Sequence, residues 1–95
     1  DDYAKRLRRN PIMENLLRYK GKVRALLRFL VKQSYVVQES IFYDPHGRRR
    51  LLMLVKTIDE KLEELTRGFV SEQDDHLELL GRLDEIRGLL LDLYS

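Results

Sequence analysis

Apolar residues recur along this chain at steps of three and four, the spacing that places side chains on one face of an α-helix. The pattern is most regular in the third segment, where six positions follow one another without a miss: Leu51, Val55, Ile58, Leu62, Leu65 and Phe69. The same periodicity predicts helices over about 11–40, 47–69 and 72–94. A short basic segment over about 2–9 predicts one more helix.

Long helices joined by short connections favour antiparallel neighbours. The sequence therefore predicts an all-α fold, an up-and-down antiparallel bundle of four helices of which the first is short. No repeat or Gly/Ser-rich linker interrupts residues 1–95, so we expect one domain. Ser71 to Asp74 resembles a capping box and is expected to start the last helix. Gly81 and Gly88 lie seven residues apart on one face of that helix, which indicates either close approach of a neighbouring backbone or tolerated loose packing.

Composition limits the chemistry that the chain can perform. It has no cysteine, so it forms no disulfide and offers no thiolate nucleophile or ligand, which fits a reducing compartment. Its longest apolar runs are far shorter than the ~20 residues that a membrane-spanning helix needs. We therefore expect a cytoplasmic protein without a membrane span. The chain does not begin with methionine, so a targeting segment could precede it.

The modest net charge of +2 conceals an uneven distribution. Residues 1–50 carry 13 Lys and Arg against 5 Asp and Glu, whereas residues 51–95 carry 5 against 11. A basic half of this kind can mark a nucleic-acid-binding face. The alternative interpretation is that a basic helix lies antiparallel to acidic helices and is partly neutralised by them.

Basic residues on the second predicted helix do not form one sharp stripe. Their helical angles place Arg18, Lys22 and Lys32 together, and place Lys20, Arg24 and Arg28 on another side. Nonspecific contact with phosphates would require no more than this distribution. However, the sequence shows no helix-turn-helix, zinc-ligand or aromatic-stacking motif. Nucleic-acid binding is therefore an alternative hypothesis rather than the leading one.

The connection between the second and third helices holds an unusual set of polar residues. Asp44, Pro45 and Gly47 occupy positions that a type I turn prefers, and Asp44 could equally cap a helix with Pro45 at its first position. These three residues therefore have turn or cap roles. Tyr43 could pack against the end of the bundle with its hydroxyl exposed, and His46 could be a solvated turn residue. Both are also candidate binding residues.

Arg48, Arg49 and Arg50 follow this connection directly. Arginines in the first turn of a helix face the positive end of its macrodipole, so local stability does not favour them there. They could bind a phosphate, another small anionic ligand or a carboxylate cluster on a partner. They could also form salt bridges with Glu39, Asp44 or acidic residues of the last helix.

Nothing in the sequence indicates a catalytic or metal site. It contains no Gly-rich phosphate loop, no HExxH motif and no histidine pair at ligand spacing, because His46 and His76 stand 30 residues apart. Neighbouring carboxylates in the third helix lack the Glu-x-x-His partners of di-iron bundles. We therefore expect no cofactor and no enzymatic activity.

Three segments resemble the YaaR-like family of small bacterial helical proteins. They are the loop 44–48, the run 55–62 and the ending 86–94, and the likeness covers roughly residues 12–94. This resemblance implies a cytoplasmic four-helix bundle without an established activity, and it supplies no catalytic residues. It also implies that the loop and the ending are family features, which favours a contact role for the loop.

The sequence leads to one principal hypothesis and two alternatives. The principal hypothesis is a non-enzymatic, regulatory or protein-interaction bundle whose contact patch comprises Tyr43, His46 and Arg48–Arg50. The alternatives are a nonspecific nucleic-acid-binding accessory protein and a sensor of a small anionic ligand. The chain is expected to be a monomer or a weak homodimer.

Overall fold

A computed structural model describes residues 2–37, 45–71 and 75–94, and these residues form four α-helices. The helices are α1 (Asp2–Arg9), α2 (Met13–Val37), α3 (Pro45–Val70) and α4 (His76–Asp92). No strand occurs within the described ranges, so the predicted all-α class is confirmed. The molecule measures 49 × 19 × 18 Å, because the 25-residue α2 and the 26-residue α3 are each roughly 38 Å long.

The two long helices run in opposite directions. Lys20 Nζ lies 2.9 Å from Glu63 Oε1, while Arg24 Nε, further along α2, lies 3.2 Å from Asp59 Oδ1, earlier in α3. The order of contacts along one helix is therefore reversed along the other. Such pairing is what antiparallel neighbours produce.

The same reversal relates α3 to α4. Lys61 Nζ lies 2.9 Å from Glu85 Oε1, and Glu64 Oε2 lies 3.8 Å from Arg82 Nη1. The short α1 packs against both α2 and α4. This arrangement is compatible with the up-and-down bundle expected from the sequence.

The core lies where all four helices overlap. Its buried side chains are spaced three or four residues apart on each long helix and comprise Leu7, Leu16, Tyr19, Val23, Leu27, Ile58, Leu62, Leu65, Leu79, Leu83 and Ile86. Toward the ends of α3 the apolar face is only half-buried, as at Val55 and Phe69. The eight-residue α1 contributes Leu7 to this core and packs on α2 and α4.

Helix α2 begins at Met13, two residues after the start predicted near residue 11. The Asn15 side-chain amide donates to the Asn10 carbonyl at 2.8 Å, and Leu16 N–H donates to the Ile12 carbonyl at 3.0 Å. The Ile12 carbonyl therefore accepts the first intrahelical bond of α2, while the Asn15 side chain binds back to the connection between α1 and α2.

Helix α4 starts later than the Ser71 capping box predicts. Its N-cap is Asp75, whose Oδ1 accepts a hydrogen bond of 2.8 Å from Glu78 N–H. Asp75 with Glu78 at the N3 position is itself a capping-box spacing, and it has the preferred Glu where the earlier candidate has Asp. Ser71 instead follows the last turn of α3, where its N–H donates to the Arg67 carbonyl at 3.0 Å.

No neighbouring backbone of the described ranges approaches Gly81 or Gly88. Both are exposed, and a Cβ built at either position would meet nothing within 4 Å. Of the two explanations that the sequence leaves open, close backbone approach is therefore wrong for the part of the chain that the structure describes. These glycines occupy open space in the middle of a helix.

We expect the double substitution Gly81→Ala with Gly88→Ala to raise the free energy of unfolding by about 1–2 kcal/mol. Alanine restricts the unfolded chain and has higher helix propensity, with each site contributing about 0.5–1 kcal/mol. Urea titration followed by circular dichroism measures the change. Ala25→Gly, at an exposed position in α2, is the matched control and should lower stability by a similar amount per site. A loss of stability in the double alanine variant would contradict the prediction.

Candidate functional site

The candidate contact patch lies at the start of α3. Pro45 is the first residue of this helix, as the capping alternative predicts, and Gly47 lies exposed in its first turn. Tyr43 and Asp44 lie outside the described residues, as does the side chain of His46. The arginine triplet is therefore the described part of the predicted patch.

Arg50 has a structural partner. Its Nη2 donates a hydrogen bond of 2.8 Å to the backbone carbonyl of Asp92, the last residue of α4. Carbonyls at a helix C-terminus lack intrahelical donors, and a cation there interacts favourably with the macrodipole. Arg50 thus fastens the start of α3 to the end of α4. The sequence predicts that these arginines could form salt bridges with acidic residues of the last helix. Arg50 binds the backbone carbonyl of one of those residues, Asp92.

Arg48 and Arg49 differ in exposure. Arg48 is half-buried, whereas Arg49 is exposed. Within the described ranges, Arg49 forms no hydrogen bond or ion pair. Consecutive residues of a helix point about 100° apart, so the triplet does not form one cluster. Among the described residues, Arg49 is thus the member of the triplet that no bond holds.

Sequence reasoning missed a second feature, a groove between α2 and α3. It has a volume of about 640 Å³ and an apolar floor of Leu27, Val31, Leu52 and Val55. We call this the α2–α3 groove. Its signal in the sequence is weak, because Val31 and Leu52 read only as a broadening of the apolar faces of two separate helices.

Exposed cations border the α2–α3 groove. Arg28 and Lys32 lie on the α2 side and Lys56 lies on the α3 side. Arg24 and Asp59 close one end of the groove, where they pair with each other at 3.2 Å. The sequence placed Arg28 and Lys32 on different sides of α2, whereas the structure brings both to this groove because they are one helical turn apart.

Other cations of the basic half are engaged within the fold. Lys20 and Arg24 both bind Glu63, and Arg8 Nη2 lies 2.6 Å from Asp84 Oδ1. Hydrogen bonds from Lys20 and then Arg24 lower the pKa of Glu63 below its ordinary value. The basic half is therefore partly neutralised by carboxylates of α3 and α4, which is the second interpretation of the charge asymmetry.

Neither a metal-binding cluster nor a membrane-spanning helix occurs within the described ranges. No three His, Asp or Glu side chains there are grouped so that they could hold a metal ion. None of the helices there combines the length and apolar character needed to cross a bilayer.

The fold and the site together define a small helical bundle with a basic-bordered apolar groove and an exposed arginine at one helix start. The chain matches the family described as "Protein of unknown function (DUF327)" over residues 1–94, and it belongs to that family. The match includes α1, so it extends beyond the residues 12–94 on which the resemblance rested.

A curated relative confirms the YaaR-like resemblance. The chain is 36% identical over 93 residues to "Uncharacterized protein YaaR" from Bacillus subtilis (strain 168). The alignment covers 98% of this chain and 64% of the relative, so the chain spans less than two thirds of that protein's length. No solved structure matches the chain significantly.

Proposed function

We propose that this protein is a non-enzymatic bundle that acts by binding another protein, with Arg49 at the start of α3 as a contact residue. The observation that carries the proposal is the different use of two neighbouring arginines. Arg50 is bound to the end of α4, whereas the fold gives the exposed Arg49 no bond within the described residues. A cytoplasmic location is part of the proposal, and the absence of cysteine supports it.

The position of Arg49 supports a binding role on geometric grounds. Helix α3 begins at Pro45, two residues before the predicted start, so Arg49 is its fifth residue and lies beyond the first turn, where the macrodipole acts most strongly on a charge. Arg50 is held by its bond to Asp92, whereas the exposed Arg49 has no comparable bond within the described residues. A planar guanidinium in this position suits bidentate binding of a carboxylate on a partner.

The test compares Arg49→Ala with Arg50→Ala in tagged protein expressed in the native organism. Cross-linked partners are quantified by mass spectrometry, and thermal unfolding is measured on the purified variants. Arg49→Ala should reduce the recovery of a specific partner about tenfold while leaving Tm unchanged. Arg50→Ala should keep that partner but lower stability by about 0.5–1 kcal/mol, since it loses a charged hydrogen bond.

Two results would contradict the proposal. One is equal partner recovery from the wild-type protein and the Arg49→Ala variant. The other is a matching loss of Tm in both variants, which would make Arg49 a structural residue like Arg50. The two substitutions remove the same side chain from adjacent positions, so each controls for the other.

A further inference from the structure

We infer that the α2–α3 groove binds an acidic amphipathic helix of a partner protein. This inference rests on the proposed function and extends it by naming a binding surface and the chemistry of its occupant. It is carried by three features of the groove, which are its apolar floor, its cations and the spacing between them.

The floor of the groove favours a side chain rather than a phosphate backbone. Leu27 is 4% exposed, Leu52 is 38% exposed, and Val31 and Val55 are half-buried between them. Covering this apolar surface is favourable by roughly 25 cal/mol for each Å² removed from water. A nucleic-acid backbone cannot provide that gain, whereas leucine-like side chains on one face of a helix can.

The cations at the border can bind carboxylates from outside the described residues. Arg28, Lys32 and Lys56 form no hydrogen bond or ion pair within those residues. One to two turns earlier on α2, by contrast, Lys20 and Arg24 bind carboxylates of α3. Cation pairing between these helices therefore ends where the groove begins. An acidic partner would continue it.

The spacing of the cations suits a helical occupant. Arg28 and Lys32 are four residues apart and so lie about 6 Å apart along α2. Acidic residues at the same spacing on a second helix can face both cations while its apolar face covers the floor, as in helix-in-groove recognition.

The fold already uses this combination once. Helix α1 is eight residues long and docks on α2 and α4 with Leu7 as its single buried residue. An ion pair of 2.6 Å between Arg8 and Asp84 lies beside that anchor. The α2–α3 groove offers the same two elements with the signs of charge exchanged.

Arg49 connects this groove to the patch at the start of α3. It precedes Leu52 by three residues and Lys56 by seven, so the three lie on one face of α3. A helix lying in the groove could extend toward Arg49. The two surfaces would then serve one partner.

The experiment uses a synthetic, fluorescently labelled peptide with leucines at alternating steps of three and four and glutamates at the intervening positions. Binding is measured by fluorescence anisotropy with the full chain. Lys56→Glu should raise Kd about tenfold, because it replaces attraction to the peptide by repulsion. Arg87→Glu is the matched control, since Arg87 is exposed on α4 and bears no bond within the described residues. Its Kd should stay within about twofold of the wild-type value.

A second peptide with serine in place of leucine tests the apolar floor, and we expect it to bind at least tenfold more weakly. Equal binding of both peptides, equal effects of the two charge reversals, or no binding at all would overturn the inference. A duplex DNA that binds more tightly than the leucine peptide and is weakened by Lys56→Glu would assign the groove to nucleic acid. Concentration-dependent dimerisation abolished by Lys56→Glu would assign it to a second copy of the chain.

Failure of this inference can be distinguished from failure of the proposed function. Peptide binding concerns the groove alone and is measured in purified components, whereas partner recovery in cells tests Arg49. If the peptide fails while Arg49→Ala still removes a partner, the contact lies at the start of α3 only. If the peptide binds while Arg49→Ala leaves partner recovery unchanged, the groove acts independently of that residue.

Discussion

Replacing Ile58 with alanine is expected to lower the free energy of unfolding by about 2–5 kcal/mol, the range for large-to-small changes in a protein core. Ile58 is 0% exposed and lies in the middle of α3, the helix that packs against both α2 and α4. The substitution removes three buried carbon atoms and leaves a cavity that long, antiparallel helices cannot readily close. Small domains are stable by only about 5–15 kcal/mol, so the variant would lose a large part of its stability.

The measurement is urea unfolding of the purified chain followed by circular dichroism. A change in the midpoint with an unchanged slope would show that stability itself has fallen. Met53→Ala on the same helix is the control, because Met53 is 71% exposed and its removal should change stability by no more than about 0.5 kcal/mol. Equal losses in both variants would show that Ile58 does not anchor the core as described.

The buried positions of α3 could be predicted from the sequence for a simple physical reason. Ile58, Leu62 and Leu65 were predicted from steps of three and four, and all three are at most 1% exposed. Helical periodicity reports burial well when a helix has neighbours along its whole apolar face. It reports burial poorly where those neighbours end, as at Ile12. Its four-residue spacing from Leu16 assigns Ile12 to the apolar face of the second predicted helix, yet it is 43% exposed.

The start of α4 shows why helix ends are harder to predict. Ser71 and Asp75 each begin a sequence that resembles a capping box, and the choice between them depends on where the chain must turn after α3. Only one of them, Asp75, caps α4. Local sequence contains both signals but not the packing that selects between them.

The candidate site was only partly accessible from the sequence. Three adjacent arginines have identical local chemistry, so the sequence could not separate Arg49 from Arg50. The separation arises from the Asp92 carbonyl, 42 residues further along the chain. The α2–α3 groove could not be predicted for the same reason. Its cations and its apolar floor come from two helices, and they form one surface only when those helices pack together.

Ionisation of Tyr19 is expected to destabilise the fold between about pH 10 and pH 12. Tyr19 is 2% exposed, and burial raises the pKa of its hydroxyl from 10.0 to about 12, with the nearby positive charge of Arg8 acting in the opposite direction. The folded state therefore holds this proton more tightly than the unfolded state. The resulting stability is fully present below pH 10 and is lost as pH rises toward 12. Two pKa units correspond to about 2–3 kcal/mol.

Comparison of Tyr19→Phe with the wild-type chain isolates this effect from the titration of lysines, which both proteins share. The phenylalanine variant should lose about 2–3 kcal/mol less stability between pH 10 and pH 12, as measured by urea unfolding. Tyr94→Phe is the matched control, since Tyr94 is 69% exposed and its removal should leave the pH dependence unchanged. Parallel pH profiles for the wild-type and Tyr19→Phe proteins would mean that the Tyr19 hydroxyl reaches water in the folded state. The phenol would then lie at the edge of the core rather than within it, and α1, which brings Arg8 close to it, would cover α2 less completely than the structure shows.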